Sequence, residues 1–200
     1  MPRMILAYHR SPEPWSRKLV EAIAERLDSG AFAAELEAAP RVCSRGDVIV
    51  ALLPARGGHL EELRYLAGLR GCRVVGPIPH GIVGGYAARS FRRAGCQRGM
   101  IAFWRAKRYV DLQAVDMARA AYVASKLSEV PVGLIPYHPD SRLPKPAPGD
   151  CAAVASLLPG RLPRILEGMG WRVTGRYILE DGVALEEITL WAQGLLAVKA

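Results

Sequence analysis

The run Val48-Ile49-Val50-Ala51-Leu52-Leu53-Pro54 is followed by Gly58, Leu60 and Leu63, and then by Gly71-Cys72-Arg73-Val74-Val75-Gly76. The same order returns later in the chain. Ala152-Ala153-Val154-Ala155-Ser156-Leu157-Leu158-Pro159 is followed by Gly160, Leu162 and Ile165, then by Gly170-Trp171-Arg172-Val173-Thr174-Gly175. Met4 to Arg10 likewise resembles Met100 to Arg105. An apolar strand, a Leu-Leu-Pro corner, a helix and a Gly-x-Arg-Val-x-Gly strand, twice over, point to an internal duplication. Continuously apolar strands such as Asp47–Leu53 are those of a parallel sheet buried on both faces. The expected fold class is therefore α/β, two related lobes with mainly parallel sheets flanked by helices and a cleft between them. The expected division is 1–97 and 98–200, near Gly95 to Gly99.

Other strands are expected at Arg3–Tyr8, Ala31–Ala38, Arg73–Ile78, Gly99–Trp104, Pro131–Tyr137, Cys151–Leu158 and Trp171–Leu179. Helices are expected after Ser11-Pro12-Glu13-Pro14, over His59–Leu69, Gly84–Arg93, Val110–Leu127, Arg161–Met169 and Val183–Val198, with Pro139–Gly149 an extended loop. In the first helix Trp15, Leu19, Ala22, Ile23 and Leu27 form the apolar face; in Val110–Leu127 the inner side reads as Leu112, Val115, Tyr122 and Leu127.

The net charge of +8 rests on 22 Arg and 5 Lys, and favours an anionic partner. The densest basic groups, Arg89-Ser90-Phe91-Arg92-Arg93 and Arg105-Ala106-Lys107-Arg108, match no nucleic-acid motif. No apolar run reaches the roughly 18 residues of a membrane span. Met1 to Leu6 lead straight into a strand with no signal-peptide layout, so the expected location is cytoplasmic. Cys43, Cys72, Cys96 and Cys151 contain no C-x-x-C pair and are expected as buried free thiols. The absence of Asn leans toward a hot habitat, where disulfides become the alternative.

The four histidines, His9, His59, His80 and His138, all fall at the carboxyl ends of expected strands, where parallel sheets collect their ligands. His9 and His59 are expected at one sheet edge. Neutral imidazole binds late first-row divalent metals and accepts protons near pH 7. Glu35 or Glu37 supplies a carboxylate nearby, and Glu62 follows His59 by one helical turn. The chain has no G-x-S-x-G elbow, P-loop or G-x-G-x-x-G fingerprint. Gly81-Ile82-Val83-Gly84-Gly85 is a weak phosphate-cradle candidate.

Over residues 3–64 these motifs resemble the small class II tetrapyrrole chelatases, the sirohydrochlorin cobaltochelatase family. The family's strand ending in Gly-His-Gly-Ser is similar to Ala7-Tyr8-His9-Arg10-Ser11, with Tyr8 and Arg10 replacing both glycines. Its Pro-Gly-Gly-His loop is similar to Pro54-Ala55-Arg56-Gly57-Gly58-His59, and its strand-end glutamate before a proline to Glu37 before Pro40. The resemblance implies insertion of cobalt, nickel or iron into sirohydrochlorin or a related polycarboxylate tetrapyrrole. It implies His9, His59 and Glu37 as metal-binding and catalytic residues, with no organic cofactor. Arg10, Arg56 and Arg89 become candidates for the substrate carboxylates, and Tyr8 or Trp15 for stacking on the macrocycle. A duplicated chain that completes its own cleft is expected as a monomer, with a dimer the alternative, and with no nucleic-acid or membrane partner. A non-catalytic tetrapyrrole or metal binder and a basic nucleic-acid-binding α/β domain are the alternatives.

Overall fold

In the computed structural model the described residues are 2–27 and 30–197. They form eight strands in two four-stranded, all-parallel sheets. The first sheet has the order β2-β1-β3-β4, with β1 Met4–Tyr8, β2 Phe32–Glu35, β3 Val48–Ala51 and β4 Arg73–Val75. The second repeats that order as β6-β5-β7-β8, with β5 Arg98–Trp104, β6 Val132–Tyr137, β7 Asp150–Val154 and β8 Arg172–Gly175. The helices are α1 Ser16–Glu25, α2 Ala39–Val42, α3 Gly58–Gly68, α4 His80–Ala94, α5 Val110–Ser128, α6 Leu162–Gly168 and α7 Gly182–Ala197. The chain is thus α/β with helix-flanked parallel sheets, as the periodicity predicts.

The duplication extends to individual bonds. The Leu52 amide donates to the Ala7 carbonyl at 2.8 Å, and the Ala155 amide to Ala102 at 2.8 Å. At the opposite edge Arg3 pairs with Asp47 and Arg98 with Asp150, each carboxylate buried at the start of the central neighbour strand. Each aspartate also accepts a backbone N–H from three residues upstream, Ser44 at 2.9 Å and Ala147 at 2.8 Å. An arginine fork is thereby held on a carboxylate that also closes the entering turn.

Side-chain alternation divides each sheet. Ile5, Ala7, Ile49 and Ala51 face the outer helices α2 and α3, with Leu60 and Leu63. Ala102, Ala152 and Val154 face α6 through Leu162 and Leu166. The opposite faces, Met4, Leu6, Tyr8 and Val50 from one sheet and Ile101, Phe103 and Ala153 from the other, share one core with α1, α4, α5 and α7. The sheets are therefore separate, but their inner core is continuous. The expected boundary at 97/98 falls between α4 and β5, yet α4 packs on the second sheet. Phe91 lies where a Gly99 Cβ would come within 2.4 Å, and Tyr86 where a Gly175 Cβ would come within 2.5 Å.

Several local expectations change. Gly84 cradles no phosphate: it lies inside α4, where a Cβ would sit 2.5 Å from the Ala120 carbonyl of α5. The inner side of α5 is accordingly the small set Met117, Ala120, Ala121 and Ala124, while Val115, Tyr122 and Leu127 are exposed. In α1 the buried residues are Ser16, Val20, Ile23 and Ala24, and Trp15 lies outside, its ring 6.1 Å from that of Tyr177 across the lobes. The Trp171–Leu179 strand ends at Gly175 and gives way to a 3₁₀ turn at Ile178–Glu180. Val198 lies outside the described residues.

The cysteines are paired, not free. Cys43–Cys72 ties the end of α2 to the start of β4, with Cα atoms 6.5 Å apart. Cys96–Cys151 ties the turn after α4 to β7, with Cα atoms 5.9 Å apart. Both separations lie in the range a disulfide spans. No helix among the described residues is long and apolar enough to cross a membrane.

Candidate functional site

His9 immediately follows β1, whose last residues are held on both sides: Ala7 accepts from Leu52, and Tyr8 from the Leu36 amide at 2.8 Å. His59 is the second residue of α3, entered through Gly57 in extended backbone. A strand end and a helix start, both anchored on buried apolar runs, bring the two imidazoles together. Their ring centroids are 4.6 Å apart and their planes lie at 86°. Two imidazoles sharing one ion at metal–nitrogen distances of about 2.1 Å would have centroids about 4.5–5 Å apart for ligand angles of about 90–105°. Desolvation by surrounding protein lowers the His9 pKa, the neighbouring His59 lowers it further, and Glu37 opposes both. His9 thus favours the neutral imidazole that a metal requires.

Glu37 lies just beyond β2 and, with His59 and Glu62, lines a cavity of about 520 Å³ between α2 and α3. It influences His9 electrostatically. Among the described residues, however, no three His, Cys, Asp or Glu groups cluster closely enough to hold a metal together. The arrangement is two imidazoles packed edge to face with an acidic neighbour. Glu35 faces Arg10 instead, at 3.9 Å. His80 starts α4 and lines a separate cavity with Arg56, Asp116 and Arg119. His138 follows β6, its Nδ1 3.4 Å from Asp140.

Several substrate-binding candidates have other partners. The Arg56 guanidinium grips Asp116 of α5 at 2.7 Å and 3.0 Å, and its backbone N–H donates to the same carboxylate at 2.9 Å. It clamps the His59 loop to the second lobe. Arg89 lies well down α4, paired with Asp181 at 3.0 Å and Glu187 at 3.4 Å. Tyr8 is 3% exposed and belongs to the inner core, so its ring presents no stacking face. Arg10 projects from the strand end, with its side chain 81% exposed.

The histidine edge abuts the second lobe. A Cβ at Gly57 would lie 3.6 Å from the Ala106 Cβ, and one at Gly58 would lie 3.8 Å from the Arg108 Cβ. Ser11 donates to the Pro159 carbonyl at 2.8 Å. At the strand end equivalent to His9 the second lobe carries Trp104, packed edge-on against Tyr137 at 4.8 Å. The two lobes therefore differ at this edge: one presents imidazoles, the other an aromatic pair.

No protein-family model matches the chain, and no curated protein matches it in sequence. Among solved structures it is similar to the sirohydrochlorin chelatase SirB from Bacillus subtilis subspecies spizizenii, solved in complex with cobalt. The TM-score is 0.65 at 15% identity, covering 95% of this chain and 93% of that one. The chain has the fold of that chelatase. Unliganded arylmalonate decarboxylase also aligns, at 16% identity and a TM-score of only 0.31.

Proposed function

We propose that the chain inserts a divalent metal, cobalt, nickel or iron, into sirohydrochlorin or a related polycarboxylate tetrapyrrole, with His9 and His59 as the metal-handling pair. The observation that carries this reading is the 4.6 Å approach of the two imidazoles at the carboxyl edge of the first sheet. The fold shared with a chelatase supports it.

The chemistry follows from the residues. Insertion exchanges two pyrrole N–H protons for one divalent ion. The ion must arrive partly stripped of water, and both protons must leave. Two imidazole ligands hold an ion while leaving positions open for ring nitrogens. Once the ion passes to the ring, the freed imidazoles become bases of suitable strength for the departing protons. Glu37 favours the protonated form of His9 at that moment, whereas desolvation and His59 favour the neutral form that accepts the next ion. The net charge of +8 suits a polyanionic substrate.

The test mixes metal-free sirohydrochlorin with Co²⁺ and follows the absorbance change of insertion. Wild type should exceed the buffer rate, and His9→Ala and His59→Ala should fall to it. A wild-type rate equal to buffer overturns the enzyme reading. A bound spectrum without faster insertion would assign a non-catalytic binder instead.

A further inference from the structure

The proposed substrate carries many carboxylates, but Arg56 and Arg89 are occupied by the protein's own acids. The loop between β5 and α5 offers different cations. Arg105, Lys107 and Arg108 are all exposed, and among the described residues none is paired with a carboxylate. The loop lies beside the histidine edge, with Arg108 and Ala106 packed against Gly58 and Gly57, next to His59.

The loop is also held in place. The Arg105 amide donates to the Tyr137 carbonyl at 2.8 Å. Gln113 bridges it, accepting from the Ala106 amide at 2.8 Å and donating to the Trp104 carbonyl at 2.9 Å. Tyr109 closes it in the left-handed region at φ 59°, a conformation that persists only where its surroundings fix it. The Arg56–Asp116 clamp joins the His59 loop to α5, the helix that follows. Trp104, 45% exposed, stands at its start in the position equivalent to His9. A fixed loop loses less entropy than a free one when it engages a ligand.

We propose that Arg105, Lys107 and Arg108, with Trp104 beside them, form the rim that recognises the peripheral carboxylates of the macrocycle and so selects a polycarboxylate substrate. In this assignment the first lobe handles the metal and the second reads the substrate. The inference rests on the proposed chelatase reading and deepens it. Guanidinium and ammonium groups meet carboxylates through charge-assisted bonds, and an exposed indole offers an aromatic surface to a flat ring.

The triple variant Arg105→Gln/Lys107→Gln/Arg108→Gln keeps the side-chain bulk and removes three charges. Binding of metal-free sirohydrochlorin and of a dicarboxylate porphyrin is titrated by absorbance, alongside Co²⁺ alone by calorimetry, with the thermal melt as a check on folding. The triple variant should bind sirohydrochlorin about tenfold more weakly, with a shallower salt dependence, and Co²⁺ as wild type does. Its preference over the dicarboxylate porphyrin should shrink accordingly. Trp104→Leu should weaken both tetrapyrroles alike. Unchanged sirohydrochlorin binding by a folded triple variant overturns the rim while leaving the chelatase reading intact. Absence of tetrapyrrole binding by wild type overturns both. Salt-sensitive binding of single-stranded nucleic acid that the triple variant alone loses assigns the cations to another partner and also overturns the rim.

Discussion

In the proposed chemistry His9 holds the metal and takes up a proton, and its environment makes a signed prediction. Desolvation and His59 lower its pKa below the ordinary 6.5, and Glu37 works against them. His59→Gln should therefore raise the His9 value, and Glu37→Gln should lower it further, both read from the His9 ring proton shift in an NMR titration. Shifts of the opposite sign would show that the two groups do not face His9 as described. Stability follows by linkage. Because the folded value lies below the unfolded one, the unfolded chain takes up the proton first as pH falls through about 6.5. His9 thus costs no stability above that pH and an increasing amount below it, until the folded pKa is passed. Denaturant midpoints of wild type and His9→Gln should converge above neutrality and separate in acid. The histidine pairing was legible in the sequence because each imidazole is tied to an apolar run whose end fixes its place. The partners of Arg56 and Arg89 were not, since Asp116 and Asp181 lie 60 and 92 residues away. The burial of Tyr8 could have been read from alternation, for Met4, Leu6 and Tyr8 share one face of β1.

At the scale of elements, the crossing of α4 and α5 joins the lobes. Gly84 lets the helices approach so closely that a Cβ would meet the Ala120 carbonyl at 2.5 Å and the Val123 Cβ at 2.7 Å. Gly84→Val should cost about 1–3 kcal/mol through overpacking, seen as a lower melting temperature. An unchanged melt would mean the helices do not cross there. The same closeness decides which residues form the inner side of α5. Periodicity finds large apolar residues, but a close crossing selects Ala120, Ala121 and Ala124 and leaves Tyr122 65% exposed. The strands are legible because β1, β3, β5 and β7 are built on apolar runs that repeat in order. The four-residue α2 is too short to leave a periodic signal.

The whole molecule is two copies of one sheet around a shared helical core, closed by two disulfides. Peptide mapping of unreduced protein should find Cys43–Cys72 and Cys96–Cys151 and no free thiol; four alkylatable thiols would contradict the pairing. Cys96→Ser/Cys151→Ser should lower stability by about 2–4 kcal/mol. The sequence left the pairing open because Cα separations of 6.5 Å and 5.9 Å arise only when distant segments fold together. The proposed function stands on His9 and His59 holding a single ion between them. X-ray absorption at the cobalt edge, on protein loaded with one equivalent of Co²⁺, addresses it directly. The bound cobalt should carry two imidazole ligands, falling to one in either His9→Ala or His59→Ala. Cobalt bound without imidazole, or a spectrum unchanged by both substitutions, would contradict it.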